Sequence, residues 1–344
     1  MRKSRLTRRR LLTHTATAAG GLAAGGAGTA AVRDWAAAGE IPPPAPPRDL
    51  LDDASRLNPT PVRGILYADA DADATADRVR PLLRRISAGD DPPLAIAGAR
   101  HSMGGQSMHR GGWMLDTVPM RRVEVGDGVM RVGAGATWRE VIPILNAAGY
   151  APAVMQSNHD FTVGGSLSVN CHGWQTDRPP IASTVRELRV LTADGTVVSC
   201  GPRRNADLFR LVLGGYGLFG VILDAKLDIV PNVLYTPHQI TVPTSEYAAV
   251  FASRVYAPGS PVEMAYGRLS VDPLRFLEEA ILVAFTPVPG TRGSRLPLNP
   301  AGASGKAGPR GVPQLGERQR RQGAAVVAGA PRPGSADRSA ATVC

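Results

Sequence analysis

Three glycine-rich stretches hold the side chains most able to do chemistry. The first, "AGARHSMGGQ" (97–106), sets His101 and Arg100 among three glycines. The second, "TVGGSLSVNCHG" (162–173), carries Cys171 and His172, and the third is "LGGYGLFGVI" (213–222). Glycine lets backbone N–H groups approach an anion with no Cβ in the way. Two such loops can wrap a pyrophosphate. His101 is then either an ordinary polar loop residue or a group set against a bound cofactor. None of the stretches is GxGxxG within a strand–helix unit, and none is GxxxxGK[ST], so the pattern speaks against a Rossmann domain or a P-loop. The cysteines Cys171, Cys200 and Cys344 are odd in number and scattered, which gives no disulfide framework and no CxxC pair. With no HExxH or HxH either, no metal is expected.

The elements around these loops read as α+β. "DRVRPLLRRISAG" (77–89) predicts an amphipathic helix ending at Gly89. "PLAIAGA" is a buried strand running into the first loop, and "GWMLDT" is another. "RRVEVGDGVMRVGAGA" predicts a hairpin through Gly126-Asp127-Gly128. In "TWREVIPILNAAGY" (137–150), Thr137 and Glu140 form a capping box for a helix ending at Gly149. A second hairpin turns on Asp194-Gly195, Asn205 caps a helix over 205–215, and "GVILDAKLDIVP" (220–231) alternates as a strand. A further region begins at Asn232, with "YTPHQITVP" as a strand and "SEYAAVFASRVY" as a helix.

The chain has 344 residues and a formal charge of +10, which would fit a nucleic-acid partner. Position removes that reading. Six Lys/Arg lie in the first ten residues and nine in 291–344, leaving 24 basic and 27 acidic residues in 11–290. The middle is mildly acidic, so no nucleic acid is expected. Residues 1–38 read as a targeting segment. Paired Arg8 and Arg9 precede Leu11 and Leu12, followed by a weak Ala/Gly-rich run, as in a twin-arginine export signal. Export machinery is then a partner, and the periplasm or the exterior the destination. Residues 39–58 form a proline-rich linker. From Gly290 to Cys344 the chain loses all periodicity, like a low-complexity tail or a frameshifted end.

In this order the three loops resemble those of FAD-dependent oxidoreductases of the vanillyl-alcohol oxidase and p-cresol methylhydroxylase type, a family that includes alditol and aldonolactone oxidases and cytokinin dehydrogenases. The resemblance covers about 59–231. It implies a two-subdomain FAD-binding domain over 59–231 and a partial α+β substrate domain over 232–289. It also implies FAD as cofactor, with Gly98, Ala99, Arg100, Ser102, Met103 and Gly104 at the phosphates and His101 as the point of covalent attachment. Gln106 falls where cytokinin dehydrogenases carry a glutamine. Thr162, Gly164, Gly165 and Ser168 would hold the pyrophosphate from the other side. His172 and Gly173 match the "HG" of sugar-oxidising members, and Val221 would lie along the cofactor.

Cys171 follows the paired glycines instead of preceding them, so a second, cysteinyl link is not expected. Asp160 and His172 are the candidate catalytic groups, with His159 as a further polar neighbour. The activity implied is hydride transfer to flavin from a CH–OH (sugar, alditol, lactone) or CH–NH small molecule, with oxygen or another acceptor reoxidising the flavin. The alternative is a truncated flavin-binding protein without turnover. A flavin reductase on the same fold is a weaker third reading.

Overall fold

The computed structural model describes residues 50–297. The expected export signal, the start of the linker and the chain beyond Pro297 lie outside the described residues. Two short strands, β1 (Leu50–Leu51) and β2 (Thr60–Pro61), pair antiparallel, so the end of the expected linker is part of the fold. Then β3 (Gly64–Tyr67), helix α1 (Ala72–Ala88), β4 (Leu94–Ala97) and β5 (Trp113–Asp116) build a three-stranded sheet. Its order is β3-β5-β4, parallel throughout. Parallel neighbours need a crossover, and α1 supplies it between β3 and β4. The helix starts five residues before the expected Asp77 because Asp71 caps it, its carboxylate accepting from the N–H groups of Asp73 and Ala74. It stops at Gly89, whose φ of 84° is the left-handed conformation that glycine takes without strain. Thr75, Val79 and Leu82, spaced i, i+4, i+7, form its buried face.

The larger sheet is antiparallel. Strands β6 (Val123–Val125) and β7 (Val129–Gly133) form the expected Gly-Asp-Gly hairpin. Helix α2 (Trp138–Ala147) carries both arms of the Thr137/Glu140 capping box. After β8 (Tyr150–Pro152) comes the short helix α3 (Val163–Ser168). Strands β9 (Val185–Leu191) and β10 (Val197–Cys200) form the second hairpin. Helix α4 (Ala206–Val212) and the long strand β11 (Val221–Pro231) complete the set. The order is β10-β9-β11-β7-β6, with β8 also on β11.

Two elements differ from the sequence reading. The "TVGGSLS" stretch is helical after its first residue, with Thr162 as N-cap accepting from the Gly165 N–H. Asn205 stands at the N-cap of α4, yet its side chain donates to the Ser199 carbonyl and makes no capping bond.

One apolar core joins α1, α2, α3 and the large sheet. Trp138, Leu145, Leu167, Leu188, Leu191 and Leu223 are fully buried within it. The second region is a separate three-stranded antiparallel sheet, β12 (Tyr235–Pro243), β14 (Glu279–Pro287) and β13 (Met264–Leu269) in that order, with helix α5 (Tyr247–Val255) against β14. Its own buried cluster is Met264, Val283 and Phe285. The ordered chain continues past Gly290. Leu296 is buried, its N–H donating to Asn146 Oδ1 while Asn146 Nδ2 donates to its carbonyl. Among the described residues no helix is long and apolar enough to cross a membrane.

Candidate functional site: a cavity between the glycine-rich loops

All three glycine-rich stretches meet at one cavity of about 510 Å³. Strand β4 ends at Ala97 and delivers the first loop. The N-cap of α3 stands opposite, because a Cβ on Gly98 would collide with Thr162 Oγ1. Gly164 lies equally tight, its missing Cβ only 2.7 Å from that of Ala134. Neither position has room for a side chain, and the first loop's backbone packs directly on the Thr162 side chain.

The first loop is held from behind. Asp53 is buried and accepts hydrogen bonds from Ser55, Asn58 and the Gly105 N–H. Burial opposes its charge, but these donors outweigh that and hold the carboxyl below its ordinary pKa. Asn58 also donates to the Met103 carbonyl at 2.9 Å. With its rear pinned, the loop presents a run of donors: the N–H groups of Ala99, Arg100, His101, Ser102 and Met103 have no acceptor among the described residues. The Arg100 guanidinium likewise has neither ion pair nor hydrogen bond among them.

Not one of the residues lining the cavity is Asp, Glu or Lys. A wall with free N–H donors, an unpaired arginine and no carboxylate is built for an anion. Strain concentrates here as well. Arg100, Asn170 and Tyr216, all on the wall, hold left-handed φ values of 53°, 46° and 52°.

Of the residues singled out in the sequence, Gly98, Ala99, Arg100, His101, Ser102, Gln106, Thr162, Gly164, Gly165, Ser168 and His172 line the cavity. Met103, Gly104, Gly173 and Val221 do not. Met103 is 65% exposed and turns outward. Gly104 donates to Gln106 Oε1 and so closes the loop on itself. Gly173 lies behind the wall, and its carbonyl holds the His172 ring. Val221 faces the core, and strand alternation gives the wall to its neighbours Gly220 and Ile222.

Asp160 is also off the cavity. Arg139 grips it with Nε at 2.7 Å and with a second guanidinium nitrogen. His159 is exposed beside it, with Nδ1 3.9 Å from the same carboxylate. Cys171 lines the cavity, and burial pushes its thiol up to about 11, so it stays protonated at neutral pH.

His101 packs its ring against Phe161 at 4.6 Å between centroids. Burial lowers its pKa against the pull of Asp160, which keeps the imidazole neutral near pH 7.

Several wall residues carry no motif and went unmarked in the sequence: Gln156, Phe161 and Trp174. Phe161 and Trp174 directly flank the second glycine stretch, and that adjacency is the one signal that could have found them. Ser166 Oγ accepts from Trp138 Nε1 and Gln156 Nε2 and donates to the Thr162 carbonyl. Gln156 Oε1 and Ser107 Oγ are buried without a partner among the described residues, polar atoms of the kind a dinucleotide's hydrogen-bonding groups can satisfy.

The class of the region follows from comparison. Residues 74–201 match the family described as FAD binding domain. The anion-binding wall and the glycine cradle fit that cofactor, and the expectation of FAD stands. The chain is similar to "Cytokinin dehydrogenase 8" of Oryza sativa subsp. indica, 34% identical over 209 residues, which is 53% of this chain and 39% of the relative. It is 36% identical over 171 residues to "Cytokinin dehydrogenase 7" of Oryza sativa subsp. japonica, 46% of this chain and 32% of that protein. The chain thus spans 32% to 39% of the length of these curated relatives.

Proposed function

We propose that this protein is an FAD-dependent oxidoreductase that dehydrogenates a small molecule in the cavity between its glycine-rich loops. The observation that carries this is the run of free N–H groups from Ala99 to Ser102 beside the unpaired Arg100, on the wall of a cavity whose lining holds no carboxylate. Arg100 and those N–H groups would hold the pyrophosphate. Thr162 and Gly164 would set the spacing of the opposing wall, and Asp53 would keep the first loop in place. Bound FAD supplies a two-electron acceptor for a hydride leaving the substrate carbon.

The name of the relatives, cytokinin dehydrogenase, favours a CH–NH substrate over a sugar or alditol. We place the neutral His101 as the attachment point for the flavin and the twin-arginine segment as the route to the periplasm or exterior. We read the parallel sheet and the antiparallel one as the two subdomains expected of such a domain.

The test is purification of the full chain, acid denaturation, and mapping of any flavin that stays with the protein. Flavin on the His101 peptide supports both cofactor and attachment. Flavin released to the supernatant keeps the cofactor and rejects the bond. A folded chain with no flavin rejects the proposal. The second reading, flavin binding without turnover, is favoured by the small second region, which has three strands and one helix. A flavin-loaded chain that no substrate reduces would select it.

A further inference from the structure

Oxidising H–C–X–H to C=X, with X oxygen or nitrogen, removes a hydride from carbon and a proton from X. The proton needs a base. The titratable residues on the cavity wall are Arg100, His101, Cys171, His172 and Tyr216, with no carboxylate among them. Arginine stays protonated, and Cys171 is a buried neutral thiol. A neutral phenol such as Tyr216 is a donor first and a poor proton acceptor. His101 packs its ring against Phe161 and is the proposed attachment point of the flavin, which commits that ring to the cofactor. Asp160 is off the wall and gripped by Arg139.

His172 stands on the opposite wall. Two residues on, Trp174 lines the cavity and packs on Tyr266 and Phe285 of the second sheet. The chain from Trp174 to Thr176 then bonds along β13, the Ala265 N–H donating to the Trp174 carbonyl and the Thr176 N–H to that of Glu263. His172 therefore lies at the end of the cavity where the second sheet begins. Its Nδ1 is 3.1 Å from the Gly173 carbonyl oxygen. A carbonyl only accepts, so Nδ1 carries the proton and Nε2 of the neutral ring keeps its lone pair. That nitrogen has no partner among the described residues.

We infer that His172 Nε2 takes the proton from the substrate's O–H or N–H as the hydride leaves for the oxidised flavin. The ring becomes an imidazolium, and its Nδ1–H stays on Gly173. This rests on the proposed oxidoreductase activity.

Two measurements test it. The first needs no turnover: nitrogen NMR of the 15N-histidine-labelled full chain, with His172 identified by the signals lost in His172→Gln. The inference expects an unprotonated Nε2 near pH 8, and a proton on Nε2 there overturns it. The second is flavin reduction in rapid mixing, with a cytokinin and with sorbitol as the two probes. His172→Gln should slow reduction by about 10²–10⁴-fold and erase the loss of rate toward acid pH that protonation of an imidazole produces. An exposed ring bonded only to its neighbour can be replaced without unfolding the chain, and circular dichroism checks this. A wild-type chain that loads no FAD overturns the functional proposal itself. A loaded chain whose rate and pH profile survive His172→Gln overturns only the role of His172.

Discussion

The two sheets that meet near the cavity are built to different standards. The FAD binding region buries tryptophan, leucine and valine from its four helices and the antiparallel sheet in one continuous core. The second region offers three strands, one helix and a smaller buried set: the cluster of Met264, Val283 and Phe285, with Val242, Val255, Ala280, Leu282 and Ala284. Its β13–β14 connection leaves Leu274 89% exposed and Phe276 61% exposed. Stability scales with the apolar area a region removes from water, and a sheet with little to cover it gains little. The first region can therefore hold loops in strained conformations against a ligand. The second depends on its neighbour, through Trp174 and through the hydrogen bonds of residues 174–176 to β13 and its flank.

The comparison breaks if the two regions unfold as one, and core truncations test that most strongly. Trp138→Ala removes a fully buried indole and the donor it gives Ser166 Oγ. It should cost about 3–5 kcal/mol in denaturant unfolding of the FAD binding region. A shift below about 1 kcal/mol would show that the core is not continuous there.

Next in size is Gly98→Ala. It drives a Cβ into Thr162 and should weaken FAD binding about 10- to 100-fold, the equivalent of the 1–3 kcal/mol typical of overpacking. Titration of flavin into the apo-protein measures it, and an unchanged affinity would mean the two loops need not close.

Asp53→Asn should cost about 1–2 kcal/mol at pH 7 by loosening the first loop from behind. Because the folded-state pKa of Asp53 lies below its unfolded value, its contribution is present above about pH 4 and lost as pH falls through the folded pKa. The difference between wild type and variant, followed by urea unfolding from pH 7 downward, should shrink in that acidic window.

The smallest global effect is expected from Phe285→Ala. It should move the main transition by less than about 1 kcal/mol while amide exchange quickens across β12, β13 and β14 alone. Equal loss of protection in β9 and β11 would make the two sheets one cooperative unit.

What was legible in the sequence was local. Both hairpins turn on glycine-bearing pairs that few other residues could replace. The Thr137/Glu140 capping box and the Gly89 stop are contained within a few residues of chain. The three glycine stretches announced close backbone approach, and most of the residues picked from the first two reach the cavity wall. The helix hidden in "TVGGSLS" was not legible, because two glycines give a weak helical signal and only the packing of α3 under Ala134 and Ala136 makes it form. Asn205 has the composition of a cap, and its side chain was drawn instead to the Ser199 carbonyl by the preceding turn.

The amino-acid sequence alone determined which segments become strands and helices and where backbone can approach an anion, because turn chemistry, caps and apolar periodicity act over a handful of residues. Tertiary structure decided the rest. It brought Arg100, Thr162 and Gly220, spread over more than a hundred residues of the chain, to one cavity. It gave Asp160 to Arg139, turned Val221 into the core and His172 toward the cavity, and recruited Trp174 from beyond the last glycine. Those choices depend on which face of each element is buried and which partner lies across the gap, and neither is written in the spacing of residues along the chain.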